Sequence, residues 1–259
     1  MMTQPLLNYT RLGQGPLVVL LHPVGLDGTF WGDLPRRLSD RYTVISVDLR
    51  GHGGSSPAPR PGTMAACVAD VAGVIKEAGQ GHQTAVVLGL SFGGMVAQNL
   101  AIVHPELVSG LVVCGCGAFI PPAFKHAILA RGSDAEQGGM QAITAATLER
   151  WFTPGFMDSP EVAKVRARLL ADDPSNFAAA WEAISEHYAV EKLKQVTVPA
   201  LVIGGSVDLA TSVEAINVLA GAFAHGRAVI LEGAPHMMQI ENQDEFYTAV
   251  RHFLDQMEK

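Results

Sequence analysis

Six short runs govern what this chain can fold into: PLVVLL (16–21), YTVISVD (42–48), TAVVLGL (84–90), GLVVCG (110–115), PALVIGG (199–205) and RAVILEG (227–233). Each is apolar along its length instead of alternating, so each suits a strand buried on both faces. The stretches between them read as helices, over 31–39, 64–79, 92–103, 212–223 and 242–257. The last carries apolar side chains at 246, 250, 253 and 254, a helical stripe. Strand and helix in alternation predict an α/β fold with a mostly parallel, doubly wound sheet. A length of 259 residues holds one large domain, or one domain with an insertion.

The rhythm breaks between 120 and 194. This region opens on Pro121-Pro122 and contains helix-like stretches at 122–131, 136–150, 160–171 and 174–187, with no strand among them. Pro154, Pro160 and Pro174 punctuate it, and Asp158, Ser159 and Asp173 offer N-cap chemistry. The expected division is a core of 1–119 and 195–259 with a helical cap inserted at 120–194, seated above the sheet.

Composition removes several function classes. With 48% hydrophobic residues the chain has the apolar content of a folded domain. The formal charge of −7, with no cluster of Lys and Arg, argues against nucleic acid, whose binding needs cations to displace counterions. The longest apolar stretch, Leu17 to Leu21, is strand-length and predicts no membrane partner. Three cysteines, Cys67, Cys114 and Cys116, include no Cys-x-x-Cys pair. The N-terminal MMTQPLLNYTRLGQGP lacks the basic and apolar regions of a secretory signal. A cytoplasmic location follows as the expectation. A homo-oligomer is compatible with the sequence, which contains nothing that requires one.

The sharpest motif is Gly89-Leu90-Ser91-Phe92-Gly93-Gly94, directly after TAVVLG and directly before FGGMVAQNLAIVH. A strand–turn–helix around G-x-S-x-G places a serine on a strained turn, and the positions two before and two after it must be nearly free of side chain. The following helix aims its first N–H groups at developing negative charge. A serine needs a base and the base an orienting acid, which in this arrangement follow in the order Ser, Asp or Glu, His. Of the histidines well beyond Ser91, His225 sits in a helix-to-strand turn and His252 in the terminal helix, whereas His236 lies in the Gly-Ala-Pro-His loop after RAVILEG. His236 is therefore the expected base. Asp134, Asp158, Asp172 and Asp173 fall in the cap, and Asp208, in VIGGSVDLAT after a core strand, is the expected acid. The N–H of Phe92 is one expected oxyanion donor. In the loop Leu21-His22-Pro23-Val24-Gly25, Pro23 has no N–H, so Val24 is the second. His22 is on the wrong side of the chain order for a base and is expected to brace its loop.

With these residues the chain resembles the α/β-hydrolase superfamily from end to end. Asp48-Leu49-Arg50-Gly51-His52-Gly53-Gly54-Ser55 and His104-Pro105-Glu106 are similar to its usual segments, which implies a structural role for His52. GLSFGGMVAQ, LERWFTPGF at 148–156 and VTVPALVIGG resemble the 3-oxoadipate enol-lactonases within it. That resemblance implies that Trp151 faces the substrate, and Phe30, Trp31 and Met237 join it as expected pocket residues. Members commonly carry Ile-Arg-Asp late in the cap, where this chain has Ile184-Ser185-Glu186. The change weighs against a carboxylate-bearing substrate unless Lys125, Arg131 or Arg150 supplies the cation, and exposed surface is the ordinary place for all three.

The expected activity is hydrolysis of a small ester or lactone through an acyl-enzyme, without cofactor or metal. Cleavage of a C–C bond, amide hydrolysis and perhydrolysis remain open on the same residues, as does a non-catalytic ligand receptor.

Overall fold

The computed structural model describes residues 6–79 and 84–257. Residues 1–5, where the N-terminal segment read above begins, lie outside the described residues. Seven strands form a single sheet: β1 (Tyr9–Leu12), β2 (Leu17–Leu21), β3 (Thr43–Val47), β4 (Ala85–Leu90), β5 (Val108–Cys114), β6 (Ala200–Gly205) and β7 (Gly226–Leu231). Their order is β1-β3-β2-β4-β5-β6-β7, with only β1 antiparallel. Every residue of β2, β3, β4 and β6 is buried, as runs covered on both faces require. β1 was not foreseen. Three of its four residues are exposed, so this edge strand has no apolar run to betray it.

Helices α1 (Leu34–Leu38), α2 (Met64–Ala78) and α3 (Phe92–Val103) precede the break in the strand rhythm. Within it lie α4 (Lys125–Gly138), α5 (Met140–Trp151), α6 (Pro160–Leu170) and α7 (Pro174–Ser185), and after it α8 (Val213–Ala222), α9 (Met238–Glu241) and α10 (Gln243–Met257). The helix starts carry the chemistry their residue types allow. Ser159 accepts the Val162 N–H, and Asp173 accepts the N–H groups of Ser175 and Asn176. The α4–α5 break falls at Gly139, at φ 72°, and not between 131 and 136 as the sequence suggested. Gly132 serves instead as a mid-helix contact, where a Cβ would stand 2.9 Å from the Cα of Ala178 on α7.

The strand order sets the place for chemistry. The chain runs from β2 outward to β3 and then crosses back past β2 to β4. Between β2 and β4 is a topological switch point, where a crevice opens beyond the carboxyl ends of the strands. Leu21 is level with Gly89 across that boundary. The loops that follow β2 and β4 are those carrying Val24 and Ser91. The three cysteines are free thiols, Cys114 and Cys116 buried and Cys67 half-buried.

Candidate active site

Ser91 joins β4 to α3 at φ 53° and ψ −115°, and is the only residue other than glycine at positive φ among the described residues. Holding such a conformation costs about 1–3 kcal/mol, which the surroundings must offset. They do so through backbone contacts. The Ser91 N–H donates to Cys114 O at 2.8 Å, and Ser91 O accepts the Met95 N–H at 3.0 Å. A Cβ on Gly89 would lie 2.2 Å from Gly93 O, and one on Gly93 would lie 2.0 Å from Leu21 O. The two glycines thus let the turn close on itself and on β2. The first N–H groups of α3, starting with Phe92, have no partner within the helix.

His236 and Asp208 meet at the far strands. His236 Nδ1 lies 2.9 Å from Asp208 Oδ2, with both side chains almost wholly buried. Asp208 Oδ1 accepts the N–H groups of Ala210 (2.6 Å) and Thr211 (3.0 Å), so the two oxygens have fixed and different duties. Gly115, after β5, makes room for the imidazole, because a Cβ there would lie 3.2 Å from His236 Cε1. Sequence reasoning passed over Gly115, although a glycine at the end of a central strand was the available signal. Among the described residues no hydrogen bond joins the Ser91 hydroxyl to His236. Hydrogen bonds of this kind often tighten only around a bound ligand.

Two buried imidazoles hold the turn after β2. His22 Nε2 accepts the Leu49 N–H at 2.8 Å and its Nδ1–H faces Pro23 O at 2.7 Å. His52 Nε2 accepts the Gly25 N–H at 3.0 Å. Burial keeps both neutral, and the pKa of His22 is pushed down to about 3, with the neighbouring His52 adding to the effect. Neutral rings are what this geometry demands, since a protonated imidazole has no lone pair for an N–H.

The expected pocket residues separate into two places. Trp151 stacks on the His236 ring with centroids 6.4 Å apart, and the Met237 N–H donates to Trp151 O at 3.1 Å. Phe30 and Trp31, by contrast, pack edge to face on each other and line a groove of about 330 Å³ with Leu26, Ile240 and Phe246. Ser91, Asp208 and His236 are not among the walls of that groove. Asp27 accepts the Thr29 N–H at the start of this turn, and Trp31 is only 2% exposed.

The three cations also differ. Lys125 forms an ion pair with Glu186 at the surface. Arg131 lies on the buried stripe of α4 formed by Ile128, Gly132 and Ala135, with its guanidinium 4.7 Å over the Trp181 ring. No carboxylate pairs with it among the described residues, whereas Arg50 meets one and Arg168 and Arg251 each meet two. Burial and the charge of nearby Arg150 push the Arg131 pKa down to about 10. Trp181 in turn packs edge to face on Phe177, and Phe177 covers Gly25. No cluster of three or more His, Cys, Asp or Glu suited to a metal ion occurs among the described residues, and no described helix is long and apolar enough to cross a membrane.

Fold and site together define a class. The chain belongs to the alpha/beta hydrolase family, whose model matches residues 18–249. It is 32% identical over 248 residues to 3-oxoadipate enol-lactonase 2 of Acinetobacter baylyi, covering 94% of this chain and 91% of that protein. It is 31% identical to the pimeloyl-[acyl-carrier protein] methyl ester esterase of Aeromonas hydrophila, covering 94% of this chain and 97% of the relative. The crystal structure of the enol-lactonase from Burkholderia xenovorans superposes with a TM-score of 0.90 at 33% identity, over 96% of each chain. The chain is a hydrolase of this family.

Proposed function

We propose that this protein hydrolyses a small ester or lactone through an acyl-enzyme on Ser91. The observation that carries the reading is the strained Ser91 turn at the switch point, combined with the buried Asp208–His236 pair at the same edge of the sheet. Ser91 Oγ attacks the carbonyl carbon while its proton passes to His236 Nε2. The C=O electron pair moves onto oxygen, which accepts the N–H groups of Val24 and Phe92. Collapse breaks the bond to the alcohol oxygen, which takes the proton from His236. In a lactone that oxygen stays tethered to the acyl group. Water then gives a proton to His236 and attacks the acyl carbon; the bond to Ser91 Oγ breaks, Ser91 Oγ takes that proton from His236, and the acid is released. Asp208 holds the imidazole with its proton on Nδ1 throughout.

In this reading residues 120–194 form the cap that selects the substrate, with Trp151 and Met237 beside the base. Arg131 supports an acyl group bearing an anionic substituent: it is a carboxylate-free cation on the inner stripe of α4, linked by Trp181 and Phe177 to the turn that carries Val24. It supplies the charge that Ser185 and Glu186 do not. The test compares mono-p-nitrophenyl glutarate with p-nitrophenyl butyrate. The intact enzyme favours the glutarate ester, and Arg131→Gln lowers kcat/KM for that ester by about 10- to 100-fold, the worth of one charge-assisted hydrogen bond. The butyrate rate stays within about threefold. Equal loss on both esters, or none on either, refutes the anionic substrate. Loss of neither rate in Ser91→Ala refutes the acyl-enzyme.

A further inference from the structure

The turn that carries Val24 is gripped from two sides. From the core, His52 Nε2 accepts the Gly25 N–H. From the helical segment, Leu169, Phe177 and Asp172 converge on Gly25: a Cβ there would lie 2.6 Å from Leu169 Cδ2, 3.1 Å from Phe177 Cε2 and 3.5 Å from Asp172 Oδ2. One side chain ties that segment to the turn. Arg168 on α6 donates from Nε to Asp27 Oδ2 at 2.5 Å and from its terminal nitrogen to Asp172 Oδ1 at 2.6 Å. Asp27 is three residues after Val24 and fixes the next turn by accepting the Thr29 N–H at 3.0 Å. Asp172 Oδ2 is buried without a hydrogen-bond partner, so Arg168 supplies the counter-charge that keeps this carboxyl where it is.

We propose that Arg168 is a positioning residue: by bridging Asp27 and Asp172 it locks α6 and α7 onto the turn after β2 and so fixes the Val24 N–H for the oxyanion. The helical segment then shapes the substrate site and also completes the catalytic site. Without the Arg168 bridge, Asp27 and Asp172 lose their common partner and the turn carrying the donor is held less firmly. Arg168 touches no reacting atom and acts through the backbone of 24–27. The proposal rests on the oxyanion role of Val24 assigned above. A donor displaced by about an ångström loses much of its effect, and loss of a whole donor costs about 10²- to 10³-fold in kcat.

The test uses the full chain with Arg168→Gln, the isosteric Asp27→Asn, and both together, on p-nitrophenyl butyrate at a temperature well below each variant's melting point. Each single variant lowers kcat by about 10- to 100-fold with KM within about threefold, because the loss is confined to the charged intermediate. The double variant loses no more than the worse single one, since both remove the same bridge. Affinity for a boronic acid that forms a tetrahedral adduct on Ser91 falls in parallel with kcat. Unchanged kcat in a folded Asp27→Asn or Arg168→Gln variant overturns the proposal. So does a rise in KM at constant kcat, or full additivity in the double variant. Should Arg168→Gln fail to fold, Asp27→Asn alone decides by the same criteria. Failure of the acyl-enzyme reading is separable, because it is seen as turnover or adduct formation that survives Ser91→Ala.

Discussion

Changing Asp208 to Asn replaces one atom and should nearly silence the enzyme. The magnitude follows from what each carboxylate oxygen does. Oδ1 accepts two backbone N–H groups, from Ala210 and Thr211, so in the variant the amide oxygen must stay there, because an amide nitrogen would face two donors. The amide NH2 is thereby forced towards His236 Nδ1, 2.9 Å away in the parent. It can only donate, so Nδ1 must accept and the imidazole proton moves to Nε2. In the proposed mechanism Nε2 is the nitrogen that takes the serine proton, and an Nε2 already carrying a proton cannot receive another. The expected loss is about 10⁴-fold in kcat, or about 5.4 kcal/mol of barrier. Folding stability should change by no more than about 1 kcal/mol, since the shape and the two backbone hydrogen bonds persist. Initial rates on p-nitrophenyl acetate, with thermal unfolding as the control, measure both. A folded Asp208→Asn enzyme that keeps more than about a tenth of kcat refutes the tautomer argument.

Other outcomes follow from the same geometry. Gly93→Ala places a methyl group 2.0 Å from Leu21 O, so α3 must retreat from β2; a destabilisation of about 1–3 kcal/mol is expected in denaturant titration, with a fall in kcat larger than any change in KM. Acid should weaken the fold through its buried neutral histidines. The folded pKa is pushed down to about 3 for His22 and about 4 for His187, so below pH 6.5 the unfolded chain binds protons that the folded chain refuses. The stability is complete above about pH 6.5 and lost as pH falls towards 4, by about 2–3 kcal/mol for each of the two at pH 4.5. A melting temperature that stays level between pH 6.5 and 4.5 would contradict this, and His187→Gln should flatten the slope. Asp172, whose carboxyl burial pushes up, works in the opposite sense.

Much of the architecture was legible because two-sided burial leaves a plain record. LVVLL and AVVLGL could be assigned to central strands without reference to neighbours, and the glycines around Ser91 had a steric reason readable from spacing alone. β1 was illegible because an exposed edge strand is not required to be apolar. The break between α4 and α5 was misplaced because a glycine inside a helix and a glycine ending one look alike until the partner helix is seen; Gly132 is there for Ala178. Chain order singled out Asp208 and His236, whose pairing the structure shows. The side chains of the helical segment at 120–194 were a different matter. Whether Arg131 faces inward or outward depends on how α4 packs on α7, and nothing in the local sequence of α4 encodes that. Arg168 was invisible for a similar reason: its partners lie 141 residues away at Asp27 and one helical turn away at Asp172. Phe30 and Trp31 read as pocket aromatics, and the structure places them along the groove with Leu26, Ile240 and Phe246, apart from Ser91 and His236.

Whether Ser91 is the nucleophile is tested most directly by treating the protein with a fluorophosphonate probe and mapping the modified residue by mass spectrometry, alongside esterase rates for the unmodified enzyme and Ser91→Ala. Stoichiometric labelling of Ser91 alone, with no labelling of the variant and a loss of at least about 10⁴-fold in its hydrolysis, is the predicted result. A protein that hydrolyses esters while Ser91 stays unlabelled, or a Ser91→Ala variant that turns over near the parent rate, would contradict it.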